Sequence, residues 1–246
     1  MADTVDGSDD SLNDFGEDVA EEYDEFVRGD EDEAADFLAS LADGRPALEL
    51  AVGNGRIALP LLERGVEVAG VDDSRPMLDM LARHERGHEI RTVLGDMTTD
   101  APEGAYGLVF LVYNTIGNLL TQEDQVAVFR NAASRLTDDG VFVVENLTPW
   151  GTAPTEQSVA VHDIDADGVV IDAKRYDRAT QRLWESRLRI TSDGIRSEPM
   201  ELRLVSPPEL DLMAQLAGLR LHDRYGGWRR EPFTSDSQTH VSVYGR

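Results

Sequence analysis

One stretch of the chain, residues 47–73, joins a glycine-rich turn to two apolar segments and constrains the fold more than any other. The first apolar segment ends at a turn that contains Gly53 and Gly55, a helical segment follows, and the second ends on Asp72. Because glycine has no Cβ, the backbone can turn sharply there and a ligand can approach it closely. An acid at the tip of the second strand can accept both hydroxyls of a ribose. The stretch therefore predicts a β-α-β unit with a nucleotide-type cofactor site.

Two cofactor classes share this layout. The pattern Gly-x-Gly-x-x-Ala that begins at Gly53 also fits the dinucleotide fingerprint, so the glycines alone leave a nicotinamide-dependent oxidoreductase open. Glu49, within the end of the first strand, favours a ligand with a cationic amino group, because an anion there does not help a pyrophosphate. After a later short strand, Asp96 is placed to accept from an exocyclic amine and Met97 to lie against a flat ring. The only lysine, Lys174, is not part of a Tyr-x-x-x-Lys pair.

With these residues the chain resembles the class I S-adenosylmethionine-dependent methyltransferases. Their first motif has an acid, then a small residue, then Gly-x-Gly, which here is Glu49, Ala51, Gly53 and Gly55. Ala51 replaces the first glycine of the usual pattern. The C-terminal segments 209–219 and 230–234 are similar to small-molecule and peptide-amine methyltransferases of actinobacterial type, among them peptide N-terminal and sugar N-methyltransferases.

The resemblance implies S-adenosylmethionine as the cofactor and assigns a part of it to each motif. Glu49 and the glycine turn would hold the methionine end, Asp72 the ribose, and Asp96 with Met97 the adenine. Arg56 is expected either to touch cofactor or substrate or only to start the helix. The expected cofactor-binding residues are Glu49, Ala51, Gly53, Gly55, Arg56, Asp72, Asp73, Asp96 and Met97.

Three residues are candidates for the catalytic, substrate-facing side. Ligands of doubly wound sheets lie beyond the carboxyl ends of the strands, so Tyr113 and Asn114, which follow the fourth strand, would face the methyl group. Asn114 can orient an amine or hydroxyl by accepting its hydrogen, or it merely caps its loop. In several resembled families an N-terminal helix bears a tyrosine that closes over the cofactor; Tyr23 fits that role, or it packs within its helix.

No general base or metal site is evident. Methyl transfer is an in-line displacement, which needs mainly alignment at about 3 Å and exclusion of water. A neutral amine needs little more than loss of its proton, whereas a hydroxyl usually requires a base. The five histidines are dispersed, and His240, which opens the last strand, is expected to be hydrogen-bonded within the structure. No His/Asp/Glu set has metal-ligand spacing, and the chain has no cysteine.

Charge and hydropathy limit the partners. The net charge is −25, and residues 1–36 contain 16 acids against one base, Arg28. Such a surface repels phosphate backbones, so no nucleic-acid partner is expected. No membrane partner is expected either, because no run of 18 apolar residues and no signal peptide are present. We expect a cytoplasmic protein that acts on a small molecule or short peptide; the sequence leaves its oligomeric state open.

Alternation of strands and helices predicts the fold class, α/β. We expect a doubly wound, mostly parallel seven-stranded Rossmann-like sheet with an antiparallel C-terminal hairpin, and a small antiparallel β insertion after strand five. The expected divisions are an acidic disordered tail (1–12), N-terminal helices (13–42), a cofactor-binding core (43–149), an insertion shaping the substrate pocket (150–205) and a C-terminal helix and hairpin that complete the core (206–246).

Several local signals set the expected boundaries of these elements. Ser74 is expected to cap a helix with Pro76 in its first turn. A helix over 122–136 is followed by a turn at Asp139-Gly140 and strand five at 141–145. Ser206 and Glu209 are expected to form a capping box at the start of the last helix.

Together these features predict an S-adenosylmethionine-dependent methyltransferase that moves a methyl group by in-line displacement to an amine or hydroxyl of a small molecule or short peptide. Two alternatives stay open at this point. One is an NAD(P)-dependent oxidoreductase; the other is a cofactor-binding but inactive regulatory protein, because intact cofactor motifs do not prove turnover.

Overall fold

The computed structural model describes residues 28–153 and 157–246. The chain forms two compact units. The described part of the larger unit is residues 28–153 with 203–246, and that of the smaller unit is residues 157–202. The predicted tail and all of the N-terminal segment before Arg28 lie outside the described residues.

The described residues contain eleven strands and six helices. The strands are β1 (Ala47–Leu50), β2 (Val68–Asp72), β3 (Arg91–Leu94), β4 (Tyr106–Leu111), β5 (Leu136–Leu147), β6 (Ser158–Ile164), β7 (Gly168–Asp177), β8 (Arg182–Thr191), β9 (Gly194–Arg203), β10 (Arg220–Tyr225) and β11 (Thr239–Gly245). The helices are α1 (Glu31–Ala42), α2 (Ala58–Glu63), α3 (Arg75–Arg83), α4 (Gln122–Arg135), α5 (Pro149–Thr152) and α6 (Pro207–Leu216). Two 3₁₀ turns cover Gly87–Glu89 and Thr115–Asn118.

The larger unit is built on a seven-stranded sheet in the order β10-β11-β5-β4-β1-β2-β3. The pairs from β3 to β5 are parallel, and β11 is antiparallel to both β5 and β10. The predicted fold class is therefore confirmed. Since the order reverses at β1, the carboxyl ends of β1 and β4 lie side by side at the switch point where such sheets bind ligands.

Helices cover both faces of this sheet. On one face Leu38 of α1 and Leu61 of α2 pack with Phe110 of β4. On the other, Phe129 of α4 and Tyr244 of β11 form an edge-to-face ring pair with centroids 5.5 Å apart. Every residue of β4 is buried, as expected for a central parallel strand. This packing holds the carboxyl ends of the strands in place beneath the site.

The smaller unit is a four-stranded sheet in the order β6-β7-β8-β9, with antiparallel pairing of β6, β7 and β8. The turn between β6 and β7 is held by Asp165, whose Oδ1 accepts from the N–H groups of Asp167 and Gly168 at 2.8 and 2.9 Å. The insertion after strand five is therefore an antiparallel sheet.

Two local expectations were wrong. β5 begins at Leu136, which was expected to end the helix, because buried Leu136 pairs with Tyr106 before the register shifts; Asp139-Gly140 thus lies within the strand. Ser206 makes no side-chain cap bond. Glu209 Oε1 instead accepts from Arg203 Nη2 at 2.6 Å, so an ion pair replaces the capping box.

The helix cap at Ser74 agrees with the expectation from the sequence. Ser74 caps α3, accepting from Met77 N–H at 3.3 Å. Within the described ranges, no helix has both the length and the apolar character needed to span a membrane.

Candidate functional site

The turn after β1 is built from left-handed backbone. Ala51, Gly53 and Gly55 have φ values of 59°, 54° and 86°. A Cβ on Gly55 would lie 2.4 Å from Cδ1 of Leu81, so any other residue there must displace the Leu81 side chain. Ala51 holds a conformation that costs an L-residue roughly 1 kcal/mol, so the replacement of the usual glycine carries strain at the site. The backbone of residues 51–55 therefore lies at the carboxyl end of β1, where a ligand can approach it.

Asp72 ties this turn to the end of β2. Its Oδ2 accepts from Gly53 N–H at 2.7 Å and its Oδ1 from Ser74 N–H at 2.9 Å. Burial raises the pKa of Asp72, the two N–H groups oppose that rise, and the charge of exposed Asp73 adds to it. Each carboxylate oxygen has a second lone pair. Asp72 therefore holds the turn and keeps acceptor capacity for hydroxyl groups.

Glu49 is a buried carboxyl group beside the same turn. Burial, followed by the charge of Asp72, raises the pKa of Glu49 well above its usual value, while the Ala58 N–H and the charge of Arg56 oppose the rise. Within the described residues Glu49 Oε2 has no hydrogen-bond partner. A buried acceptor of this kind fits a cationic amino group, so the acceptors of Glu49 and Asp72 match an amino-acid moiety next to a ribose.

The loop after β3 carries the expected adenine residues. Asp96 is exposed, and its Oδ1 accepts from Thr98 N–H at 2.7 Å. Met97 is half-buried against the core. Asn131 Nδ2 donates to the carbonyl oxygens of Met97 and Asp100, both at 2.9 Å. The sequence interpretation missed Asn131; a polar residue on the buried face of a predicted helix is the signal that identifies it.

Tyr113 and Asn114 lie at the carboxyl end of β4, also with left-handed backbone (φ 63° and 61°). Glu145 Oε2 accepts from Tyr113 N–H at 2.8 Å, and Asn114 Oδ1 accepts from Leu147 N–H at 3.2 Å. The Asn114 side chain therefore caps the junction of β4 and β5, which is the structural alternative considered for it. Both residues nevertheless lie at the edge where the sequence placed them.

Two arginine side chains contact the Tyr113 ring. The guanidinium carbons of Arg28 and Arg56 lie 5.0 and 4.9 Å from its centroid, within cation–π range. Arg28 also pairs with the buried carboxylate of Glu145, with Nη1 to Oε2 at 3.1 Å. Arg28 and Glu145 were not predicted as site residues. Glu145 carries the same signal as Glu49, an acid at the end of an apolar strand.

Tyr23 and the possible metal ligands complete the set of residues considered from the sequence. Tyr23 lies outside the described residues. Across residues 28–153 and 157–246, no three histidine or carboxylate side chains are grouped as metal ligands. The described site thus combines a glycine turn, three buried carboxylates and an arginine–tyrosine stack at one edge of the sheet.

The chain is similar to known methyltransferases. Residues 47–140 match a family model described as a methyltransferase domain. The CcbJ methyltransferase of Streptomyces caelestis is 39% identical in sequence; its structure superposes with a TM-score of 0.88 and covers 94% of this chain and 97% of its own.

Two further proteins are similar. The cypemycin N-terminal methyltransferase of a Streptomyces species is 27% identical over 206 residues, which are 83% of this chain and 84% of that protein. The S-adenosylmethionine-bound structure of CalS10, an amino pentose methyltransferase from Micromonospora echinaspora, is 20% identical and covers 93% of this chain and 96% of its own. Its TM-score of 0.68 shows a shared fold.

Proposed function

The chain belongs to the class I S-adenosylmethionine-dependent methyltransferases, and we propose that it methylates an amine of a small molecule or short peptide. The family membership makes the chain an enzyme with S-adenosylmethionine as cofactor, and it decides against the nicotinamide-dependent and inactive alternatives. The acceptor and the in-line course of the transfer belong to the proposal.

Glu49 and Asp72 would hold the cofactor at the turn. Glu49 Oε2, which is buried and without a partner among the described residues, would accept from the amino group, and the remaining lone pairs of Asp72 would accept from the ribose hydroxyls. Asp96 and Met97 would contact the adenine from a loop that Asn131 holds. When bound, S-adenosylmethionine supplies an electrophilic methyl group; transfer forms an N–C bond, breaks the S–C bond and releases the thioether.

One observation carries the choice of an amine over a hydroxyl. Glu145, the buried carboxylate nearest the Tyr113 loop, is already engaged by Arg28 and by Tyr113 N–H. It is therefore not available as the general base that a hydroxyl acceptor usually requires, whereas a neutral amine requires none. The name of the similar cypemycin N-terminal methyltransferase also supports an amine acceptor.

Tyr113 and Asn114 are proposed to line the acceptor side of the site, with Arg28 and Glu145 as positioning residues. Arg56 also contacts the Tyr113 ring, with its guanidinium carbon 4.9 Å from the ring centroid. The role of Tyr23 over the cofactor stays a prediction from the sequence.

The proposal is tested with an acceptor panel and S-adenosylmethionine labelled in its methyl group. The panel pairs alaninamide and glucosamine with their N-acetylated forms and adds prolinamide and a catechol. Label transfer to the free amines but not to their N-acetyl partners is the expected result. Transfer to the catechol, or equally to N-acetylglucosamine, would show a hydroxyl acceptor and refute the amine assignment.

A further inference from the structure

The side chain of Asn114 is held in one orientation at the carboxyl end of β4. Its Oδ1 accepts from Leu147 N–H at 3.2 Å. Because a backbone N–H can only donate, the amide atom that faces it must be the oxygen, and this contact distinguishes Oδ1 from Nδ2. The amino group of the same amide is therefore directed away from Leu147.

The backbone of Asn114 is also fixed. Its N–H donates to Glu145 O at 3.3 Å, and its carbonyl oxygen accepts from Gly117 N–H at 2.9 Å. Tyr113 and Asn114 both have left-handed φ values, a conformation that persists only where the surroundings hold it. Among the residues that the structure describes, three of the four hydrogen-bonding groups of Asn114 are thus engaged. Nδ2, on a half-buried side chain, is the group that remains for a ligand.

This amide lies close to the cofactor side of the site. Arg56, which directly follows the glycine turn, contacts the ring of Tyr113, the residue before Asn114. Glu145 accepts from Tyr113 N–H at 2.8 Å and is itself held by Arg28. The glycine turn and the Tyr113–Asn114 turn are therefore adjacent at the switch point between β1 and β4, where a methyl donor and its acceptor have to meet.

A hydrogen-bond donor at this position restricts what it can bind. The nitrogen of a methyl acceptor must keep its lone pair for the methyl carbon, so it cannot accept from Asn114 Nδ2 at the same time. The N–H groups of an amine are donors, as are those of Nδ2. Nδ2 therefore requires an acceptor atom elsewhere on the substrate. This reverses the role expected from the sequence, in which Asn114 accepts a hydrogen from the reacting group.

We propose that Asn114 Nδ2 donates to a substrate oxygen on the carbon next to the one that bears the reacting amine. The inference rests on the proposed amine acceptor and narrows it to amines with an N–C–C–O unit, such as α-amino carbonyl compounds and amino sugars. Asn114 is then a specificity-determining residue, because an amine without this oxygen leaves the N–H groups of Nδ2 unpaired once the substrate has displaced water.

Two pairs of amines test this role in the full-length enzyme. Alanine methyl ester is compared with 2-aminopentane, and trans-2-methoxycyclohexylamine with trans-2-ethylcyclohexylamine, at equal concentrations of the neutral amine. The oxygens of the first members can accept but not donate. In at least one pair kcat/KM should be about tenfold higher for the oxygenated member, the value of one hydrogen bond. A preference for the ester identifies an α-amino carbonyl substrate, and one for the ether an amino sugar. Equal kcat/KM within both pairs overturns the inference.

Asn114→Asp separates the two roles of the side chain. Aspartate keeps an oxygen for Leu147 N–H and tolerates left-handed backbone, but it replaces the donor by an acceptor. The preference for the oxygenated amine should therefore disappear. Asn118→Asp, the same change at a half-buried residue four positions later, is the matched control and should keep the preference. A preference that survives in Asn114→Asp overturns the inference, because the oxygen is then bound by another group.

Calorimetry of the protein saturated with S-adenosylhomocysteine gives a readout without turnover. The oxygenated amine should bind the wild type about tenfold more tightly than its oxygen-free partner, and this advantage should be absent in Asn114→Asp. A variant that instead loses affinity for S-adenosylhomocysteine would make Nδ2 a cofactor contact and overturns the inference. Methylated amines without these differences refute the role of Asn114 alone, whereas a panel without any methylated amine refutes the proposed function.

Discussion

At the scale of single residues, the site depends on carboxylates buried at the ends of strands. Both carboxylate oxygens of Asp72 accept hydrogen bonds from backbone N–H groups, one in the glycine turn and one at the start of α3. Glu49 has a buried oxygen with no partner among the described residues, and its pKa is raised by burial. Asp72 therefore anchors the turn, whereas burial favours the protonated form of Glu49.

Replacement of Asp72 tests the anchor. Asp72→Ala is expected to weaken S-adenosylmethionine binding by roughly 1–3 kcal/mol, because the turn loses its acceptor and the ribose loses its partner. Titration calorimetry gives the affinity. Asp79→Ala, an exposed carboxylate on α3, is the control and should bind normally. An unchanged affinity in Asp72→Ala would exclude Asp72 from the cofactor site.

Glu49 predicts a proton coupled to binding. Because burial raises the pKa of Glu49, the unliganded protein keeps this proton to a higher pH than an ordinary carboxyl group does, and a bound cationic amino group would displace it. The complex then holds fewer protons than the free protein, so affinity for S-adenosylmethionine should rise with pH through the range where free Glu49 titrates. Calorimetry in phosphate and in Tris, which differ in ionisation heat, measures the released proton. Glu49→Gln should abolish that difference, and equal heats in the wild type would contradict the prediction.

At the scale of elements, the site is made by turns that leave strands in left-handed backbone. Gly55, after β1, and Gly65, after α2, have similar φ values of 86° and 81°. A Cβ at Gly55 would collide with Leu81 and press on Leu59, whereas nothing lies within 4 Å of one at Gly65. The two glycines therefore share the backbone requirement and differ only in the packing around them.

Alanine substitutions at these two glycines therefore form a matched pair of variants. Gly65→Ala should lower the free energy of unfolding by about 1 kcal/mol, the backbone penalty alone. Gly55→Ala should lower it by a further ~1–3 kcal/mol through overpacking and should also weaken S-adenosylmethionine binding. Urea denaturation and calorimetry measure both quantities. Equal losses in the two variants would show that the contact with Leu81 relaxes freely.

At the scale of the whole molecule, charge is distributed unevenly. Residues 1–36 carry 16 acids and one base, whereas the other 210 residues carry 32 acids and 22 bases. The excess of 15 negative charges in the first segment thus exceeds the excess of 10 in the rest. The first twelve residues lie outside the described chain, and the sequence predicts for them only a solvated acidic tail.

Removal of residues 1–12 tests this prediction. Turnover and the melting temperature of the shortened protein should match those of the full chain, because a solvated tail contributes no packing. Initial rates with the amine from the acceptor panel and a thermal melt are sufficient. A loss of turnover with an unchanged melt would place part of this segment at the site instead.

Local patterns were enough for much of the fold, and the cofactor-binding residues that they indicate stay a prediction. The apolar period, the glycine turn and the acid at Asp72 lie within one β-α-β unit, and neighbouring residues determine such a unit. Boundaries failed where distant pairing competed with local signals. Leu136 belongs to β5 because it pairs with Tyr106 of β4. Glu209 forms an ion pair with Arg203 and not a capping box with Ser206.

Only the tertiary structure brings together residues that lie far apart in the sequence. Arg28 donates to Glu145, which lies 117 residues later in the sequence, and Glu145 accepts from Tyr113 N–H, 32 residues earlier. Asn146 meets His240 only through the register of β5 with β11, which runs antiparallel in an otherwise parallel neighbourhood. The physical reason is that a one-residue slip of register would move every side chain to the other face. Long-range packing therefore determines the register, whereas the residues of the glycine turn are close in space because they are close in sequence.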